Sequence, residues 1–129
     1  MPGVDPRRLA RALALGRLAI GATLVVAPRR AGRPLAGAEA GNAGAQLLLR
    51  ALGIRDAALG AGLWLALAGD GDAGTWLALG ALSDAVDGVA AIAGARRLPP
   101  STVALVGIGG PAGAVSGWWA RSRLSSSGR

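Results

Sequence analysis

Apolar residues fall in four long stretches along this chain, at about residues 9–27, 45–68, 75–95 and 102–120, divided by short runs of Arg, Asp, Gly and Pro. At about 1.5 Å of rise per helical residue, each stretch is long enough to cross a hydrocarbon layer roughly 30 Å thick. The pattern predicts an all-α fold, a four-helix transmembrane bundle that takes up nearly the whole chain as one integral membrane domain. The lipid bilayer is then its first partner. Asp5 and Pro6 form a helix-start signal for the first span, and Pro28 ends it. A basic segment before an apolar run also describes a signal peptide, but Arg17 interrupts the run and no small-residue cleavage site precedes Pro28, so the span is expected to be retained. Residues 28–44 are expected to be loop or short interfacial helix. Gly69-Asp70-Gly71-Asp72 is a turn short enough to make the second and third spans a tight antiparallel hairpin. Pro99-Pro100 separates the third and fourth spans, and residues 121–129 are expected to be a disordered tail.

Composition agrees with a membrane class: 52% of the 129 residues are hydrophobic, 16% are charged and the mean hydropathy is +0.45. With no Cys and no His, the chain has no disulfides, thiol chemistry or imidazole catalysis, and no metal or cofactor is expected. The net charge of +7 comes from fourteen cations, all Arg, most of them at span ends. No basic stripe interleaves with stacking aromatics, so nucleic acid is not an expected partner. Arg7, Arg8, Arg11, Arg121, Arg123 and Arg129 face one side, against Arg29, Arg30, Arg33, Arg96 and Arg97 on the other, a balance that sets no orientation. Trp64, Trp76, Trp118 and Trp119 all fall at one end of the bundle, where they are expected to anchor it at the interface.

Charges inside the spans change the picture most. Arg17, Arg55, Asp56, Asp84 and Asp87 all lie about ten residues from a span end, hence at similar depth. Two central Asp cost the third span roughly 5 to 7 kcal/mol on insertion, against about 3 gained from its few Leu, Val and Ile. Alone, it should not insert. Helical spacing puts Asp84 and Asp87 on a stripe with Gly80, Gly88 and Ala91. Gly53, Asp56, Ala57 and Gly60 form a second stripe, and Ala10, Ala14, Arg17 and Gly21 a third. Small residues let helices approach closely, so these stripes are the expected packing faces and their charges point inward. Arg17 and Arg55 are therefore expected to pair with Asp56, Asp84 and Asp87. Arg50 either completes a neutral set or extends to the interface. Gly109, Gly113 and Gly117 repeat the GxxxG spacing in the fourth span, a close-packing face for a partner in this chain or in a second copy. Pro111 is expected to kink that span.

Two likenesses follow from these residues. Asp84-x-x-Asp87-Gly88-x-x-Ala91 resembles the opening of the membrane CDP-alcohol phosphotransferase signature, but Ile92 stands where an Arg should follow, and a second Gly and two further Asp are missing. The stretch Arg50-Ala51-Leu52-Gly53-Ile54-Arg55-Asp56-Ala57-Ala58-Leu59-Gly60, with Gly16-Arg17 before it and Asp84-x-x-Asp87 after it, resembles small bacterial four-span proteins grouped as domain-of-unknown-function family 4267. DoxX-like proteins, some linked to oxidoreduction, are a more distant likeness. The resemblance implies a four-span protein of the bacterial cytoplasmic membrane and no reaction. Three roles follow: a non-enzymatic accessory protein whose ionic network fixes helix register, a proton-coupled or solute transporter using the paired Asp, and, third, an enzyme using Asp84 or Asp87 as acid or base. The more distant likeness implies a DoxX-like membrane oxidoreductase component.

Overall fold

The computed structural model describes residues 3–69 and 71–126. α1 spans Pro6–Val26, α4 Ala43–Ala68, α5 Ala73–Ala93 and α7 Gly109–Ser126. Between α1 and α4 the chain forms two single-turn helices, α2 (Pro28–Ala31) and α3 (Arg33–Ala36), and a 3₁₀ turn at Gly37–Gly41. α6 (Pro100–Thr102) and a π-helical stretch at Val103–Ile108 lead into α7, and together they form the fourth span. Each of the four spans is long and apolar enough to cross a membrane, which makes this an integral membrane protein with an all-α four-helix bundle.

Local chemistry explains where the helices begin. Pro6 occupies the first turn of α1, where its missing N–H costs nothing, and the Asp5 side chain accepts from the Arg7 N–H at 2.9 Å. Asn42 caps α4 through the Ala45 N–H at 2.7 Å. The α4–α5 hairpin turns over residues 69–72, of which Asp70 lies outside the described residues, and Asp72 caps α5 through Thr75. The Thr75 hydroxyl donates to one Asp72 oxygen at 2.5 Å and its N–H to the other at 3.2 Å. These donors, the hydroxyl first, hold the Asp72 carboxyl below its ordinary pKa. Its contribution is therefore complete at neutral pH and is lost as the pH falls through the carboxylate range. Thermal unfolding followed by circular dichroism should show wild type more stable than Asp72→Ala at neutral pH, with the difference shrinking in acid.

Packing is by close approach of backbones. α1 lies mainly on α4, and α5 mainly on α7. The buried apolar residues are mostly Ala with a few Leu, whereas Leu47, Leu48, Ile54, Leu65, Leu82, Val86, Val89, Ile92, Ile108 and Val115 are exposed. A water-soluble bundle would bury such side chains; here they form an apolar outer surface suited to lipid. At the α1–α4 contact a Cβ on Gly53 would stand 2.7 Å from the Gly21 carbonyl oxygen, and one on Gly60 2.7 Å from that of Ala14. In α7, Gly113 faces the Asp84 carboxylate and Gly117 faces Leu77 and Ala81, so these two positions of the glycine repeat pack within the chain. Gly109 faces open space.

The fourth span departs from regular α-helix at Val103–Ile108, just before Pro111. Proline has no N–H for the Gly107 carbonyl, and its ring crowds that carbonyl, so the preceding turn widens to longer-range bonds. Gly88 of α5 accommodates the ring: a Cβ there would lie 2.7 Å from Pro111 Cδ.

Two expectations are corrected at the Trp end. Trp64 and Trp118 face outward, but Trp76 and Trp119 pack against the core of Ala10, Ala14, Leu63, Leu67, Leu77 and Ala120. The belt is thus two outward rings and two that join the core. The expected tail is helical as far as Ser126; residues 127–129 lie outside the described residues. Arg121 stacks 4.9 Å from the Trp118 ring centre and Arg123 5.6 Å from that of Trp119, while Leu124 joins the core, which gives these residues partners that a disordered end would lack.

Candidate functional site

Three helices deliver the mid-span charges to one place. Arg17 projects from α1, Arg55 and Asp56 from α4, and Asp84 and Asp87 from α5. Arg17 Nη1 donates to Asp56 Oδ1 at 3.0 Å; its Nη2 donates to Asp84 Oδ2 at 2.6 Å and to the Gly80 carbonyl at 3.0 Å. One guanidinium therefore binds all three helices. Arg55 grips Asp87 with two parallel bonds of 3.1 and 2.6 Å and reaches Asp56 Oδ1 at 3.4 Å. The set reads as a chain, Asp84–Arg17–Asp56–Arg55–Asp87.

Space for this chain comes from glycine. The Arg17 guanidinium passes the bare Cα of Gly80, where a Cβ would be 3.1 Å from Nη2, and the Asp84 carboxylate faces Gly113, where a Cβ would be 2.6 Å from Oδ2. The small-residue stripes thus do two jobs, bringing helices together and leaving room for ions between them.

Arg50 is not part of the network. Its Nε donates to the Val25 carbonyl at 3.3 Å, at an exposed position. Val25 is in the last turn of α1, whose carbonyls lack helical partners and carry the negative end of the helix dipole, so this Arg satisfies a helix end rather than a carboxylate. Of the two alternatives for Arg50, the neutral set of three pairs is not formed, and its expected place among the network residues is corrected. What meets is two guanidiniums and three carboxylates.

The network has a closed half and an open half. Side-chain exposure is 14% for Arg17 and 13% for Asp56, but 37% for Arg55 and 29% for Asp87. The difference arises from a cavity of about 690 Å³, whose polar floor is Arg55, Asp56, Asp84 and Asp87. Its walls are apolar: Ile20 and Leu24 from α1, Leu35 from α3, Leu52 from α4, and Leu105 and Val106 from the π-helical stretch. Ile20 and Leu105 are each more than half exposed, so the mouth lies between α1 and the first half of the fourth span, on the outer surface. Over the far end, α3 is pinned by the buried Thr102 hydroxyl, which donates to the Leu35 carbonyl at 2.5 Å.

The floor is incompletely satisfied. Arg55 Nε is buried with no hydrogen-bond partner, a penalty of about 1–3 kcal/mol for such a donor. Each carboxylate has at least one oxygen committed to a guanidinium, and no group among the described residues has the makings of a metal site. The cavity walls were missed in the sequence, apart from the charges. Pro111 was their one visible signal, since the widened turn before it carries Leu105 and Val106. Comparison of the chain with protein-family models, with curated proteins and with solved structures finds no match to any of them.

Proposed function

We propose that the protein is a solute-binding protein of the bacterial cytoplasmic membrane, which admits a small amphiphilic solute sideways from the lipid, as the first step of a carrier cycle. The observation that supports this is the asymmetry of the network: Arg17 is packed between helices, whereas Arg55, Asp56, Asp84 and Asp87 floor a cavity with greasy walls. A volume of about 690 Å³ is in the range of small-molecule sites, which combine apolar walls with a few polar groups that orient the ligand. Position supports the same reading, because intramembrane ionisable groups that line a cavity usually serve its occupant. The closed half favours an additional structural role for Arg17, which ties three spans together.

The natural chain has no Cys, so a single reporter can be placed at will. Ile20→Cys puts a fluorophore at the mouth, and Leu48→Cys puts one on an exposed position of α4 away from it. In nanodiscs, a nitroxide-labelled long-chain alcohol should quench the first label with a saturable component that unlabelled alcohol displaces. The second label should show only the linear quenching of partition into lipid. Linear quenching at both positions would remove the basis of the proposal.

A further inference from the structure

The charges that face the cavity do not balance. Arg17 from α1, Arg55 from α4, and Asp56, Asp84 and Asp87 from α4 and α5 leave one negative charge without a partner when all are ionised. Among the described residues no other element supplies the missing cation. The fourth span has no charged residue from Pro100 to Ala120, α2 and α3 contribute Ala31, Pro34 and Leu35 to the wall, and Arg29, Arg30 and Arg33 are exposed away from it. Arg50 is occupied at the Val25 carbonyl.

An uncompensated charge between helices in a hydrocarbon layer is costly, so the floor must take up a positive charge from elsewhere. Only two sources reach it: a proton, or an occupant of the cavity. Resting on the solute-binding reading above, we infer that the cavity takes a lipophilic monovalent cation in exchange for a proton. The apolar walls Ile20, Leu24, Leu35, Leu52, Leu105 and Val106 suit a hydrophobic body, and the positive centre lies at the Asp87 end, where the carboxylates are most open. Entry of the cation releases the proton from the carboxylate that held it, and departure of the cation takes a proton back. The net charge of the site is the same in both states. An anion of equal size is refused because it would leave the site with a net negative charge even when the proton is retained.

Tetraphenylphosphonium and tetraphenylborate have nearly the same size and opposite charge, and they test this directly. Binding is measured to the full chain in phosphatidylcholine nanodiscs, with empty nanodiscs subtracted. The phosphonium should bind saturably, one per chain, and about tenfold or more tighter than the borate. Its affinity should fall about tenfold for each unit the pH is lowered through the range in which the floor holds its proton, the slope for one proton exchanged for one cation. A pH indicator in weakly buffered solution should record about one proton released per cation bound there. Asp87→Asn removes the surplus charge and should abolish both the preference and the release. Equal binding of the two ions, or binding of the phosphonium with no proton released at any pH, overturns the inference, and these wild-type measurements do so even if the variant fails to fold. The nitroxide alcohol separates the two levels: if it binds saturably and the phosphonium does not, the charge assignment is wrong and the cavity stands. If neither binds, the solute-binding reading itself is wrong.

Discussion

Arg17→Ala should be the most damaging single substitution in the chain, at about 3–5 kcal/mol. The expectation rests on three acceptors on two other helices, Asp56 Oδ1, Asp84 Oδ2 and the Gly80 carbonyl, served by one guanidinium. Removing it leaves three part-buried carboxylates with one remaining guanidinium, which is worse than removing the whole set. A loss of that size is a large part of the roughly 5–15 kcal/mol that holds a typical domain together. Titration of purified protein with sodium dodecyl sulfate, followed by circular dichroism, should show the variant unfolding far earlier than wild type. Arg17→Lys should recover only part of the loss, because a single ammonium cannot span the same acceptors as a planar fork. Deleting the partner as well, in Arg17→Ala with Asp84→Ala, should be milder than Arg17→Ala alone. A stable, fully helical Arg17→Ala protein would show that the bundle is held by something other than this ion.

Gly21→Leu should come second. A Cβ at Gly21 would lie 2.5 Å from both the Ala57 nitrogen and the Gly53 carbonyl oxygen, and these are backbone atoms that cannot swing aside. Even Ala there forces α1 and α4 apart, and overpacking of this kind costs about 1–3 kcal/mol, more for a larger side chain. The same separation draws Arg17 away from Asp56, so the steric loss and the ionic loss add. Gly16 is on the same helix, and a Cβ there meets nothing within 4 Å. The matched substitution Gly16→Ala should leave the detergent unfolding midpoint unchanged or slightly raised. Equal tolerance at the two positions would contradict the close α1–α4 contact.

Much of this architecture is legible in the sequence because lipid is an unforgiving solvent. Four apolar stretches and a third span too polar to insert alone are enough to predict a bundle whose charges face one another. The stripes of Gly80, Gly53 and Gly60 indicate the faces. Arg50 shows where such reasoning stops. Nearer the start of its span than Arg55, it could either join the carboxylates or extend to the interface, and the end of α1 beside it, with carbonyls to satisfy, takes it out of the network. The sequence puts Trp76 and Trp119 at one end of the bundle, but the choice between lipid and core depends on what lies opposite, such as Gly62 beneath the Trp76 ring. The cavity was hidden for a related reason. It is bounded by residues far apart in the chain, from Ile20 to Leu105, and its size depends on how far α1 stands from a turn widened by Pro111.

The short connection between α4 and α5 sets the order of events during synthesis. Arg55 and Asp87 are on the two arms of one hairpin, so as the nascent chain leaves the ribosome they can pair before either arm is released to the bilayer. That hairpin still carries Asp56 and Asp84, and the cation they require is on α1, which emerged first and must be kept within reach. α1 therefore acts as a docking post for the two helices that follow it, and a version of the chain rearranged to translate it after them would have to hold Asp84 without its guanidinium, and Asp56 with only Arg55, until it arrived.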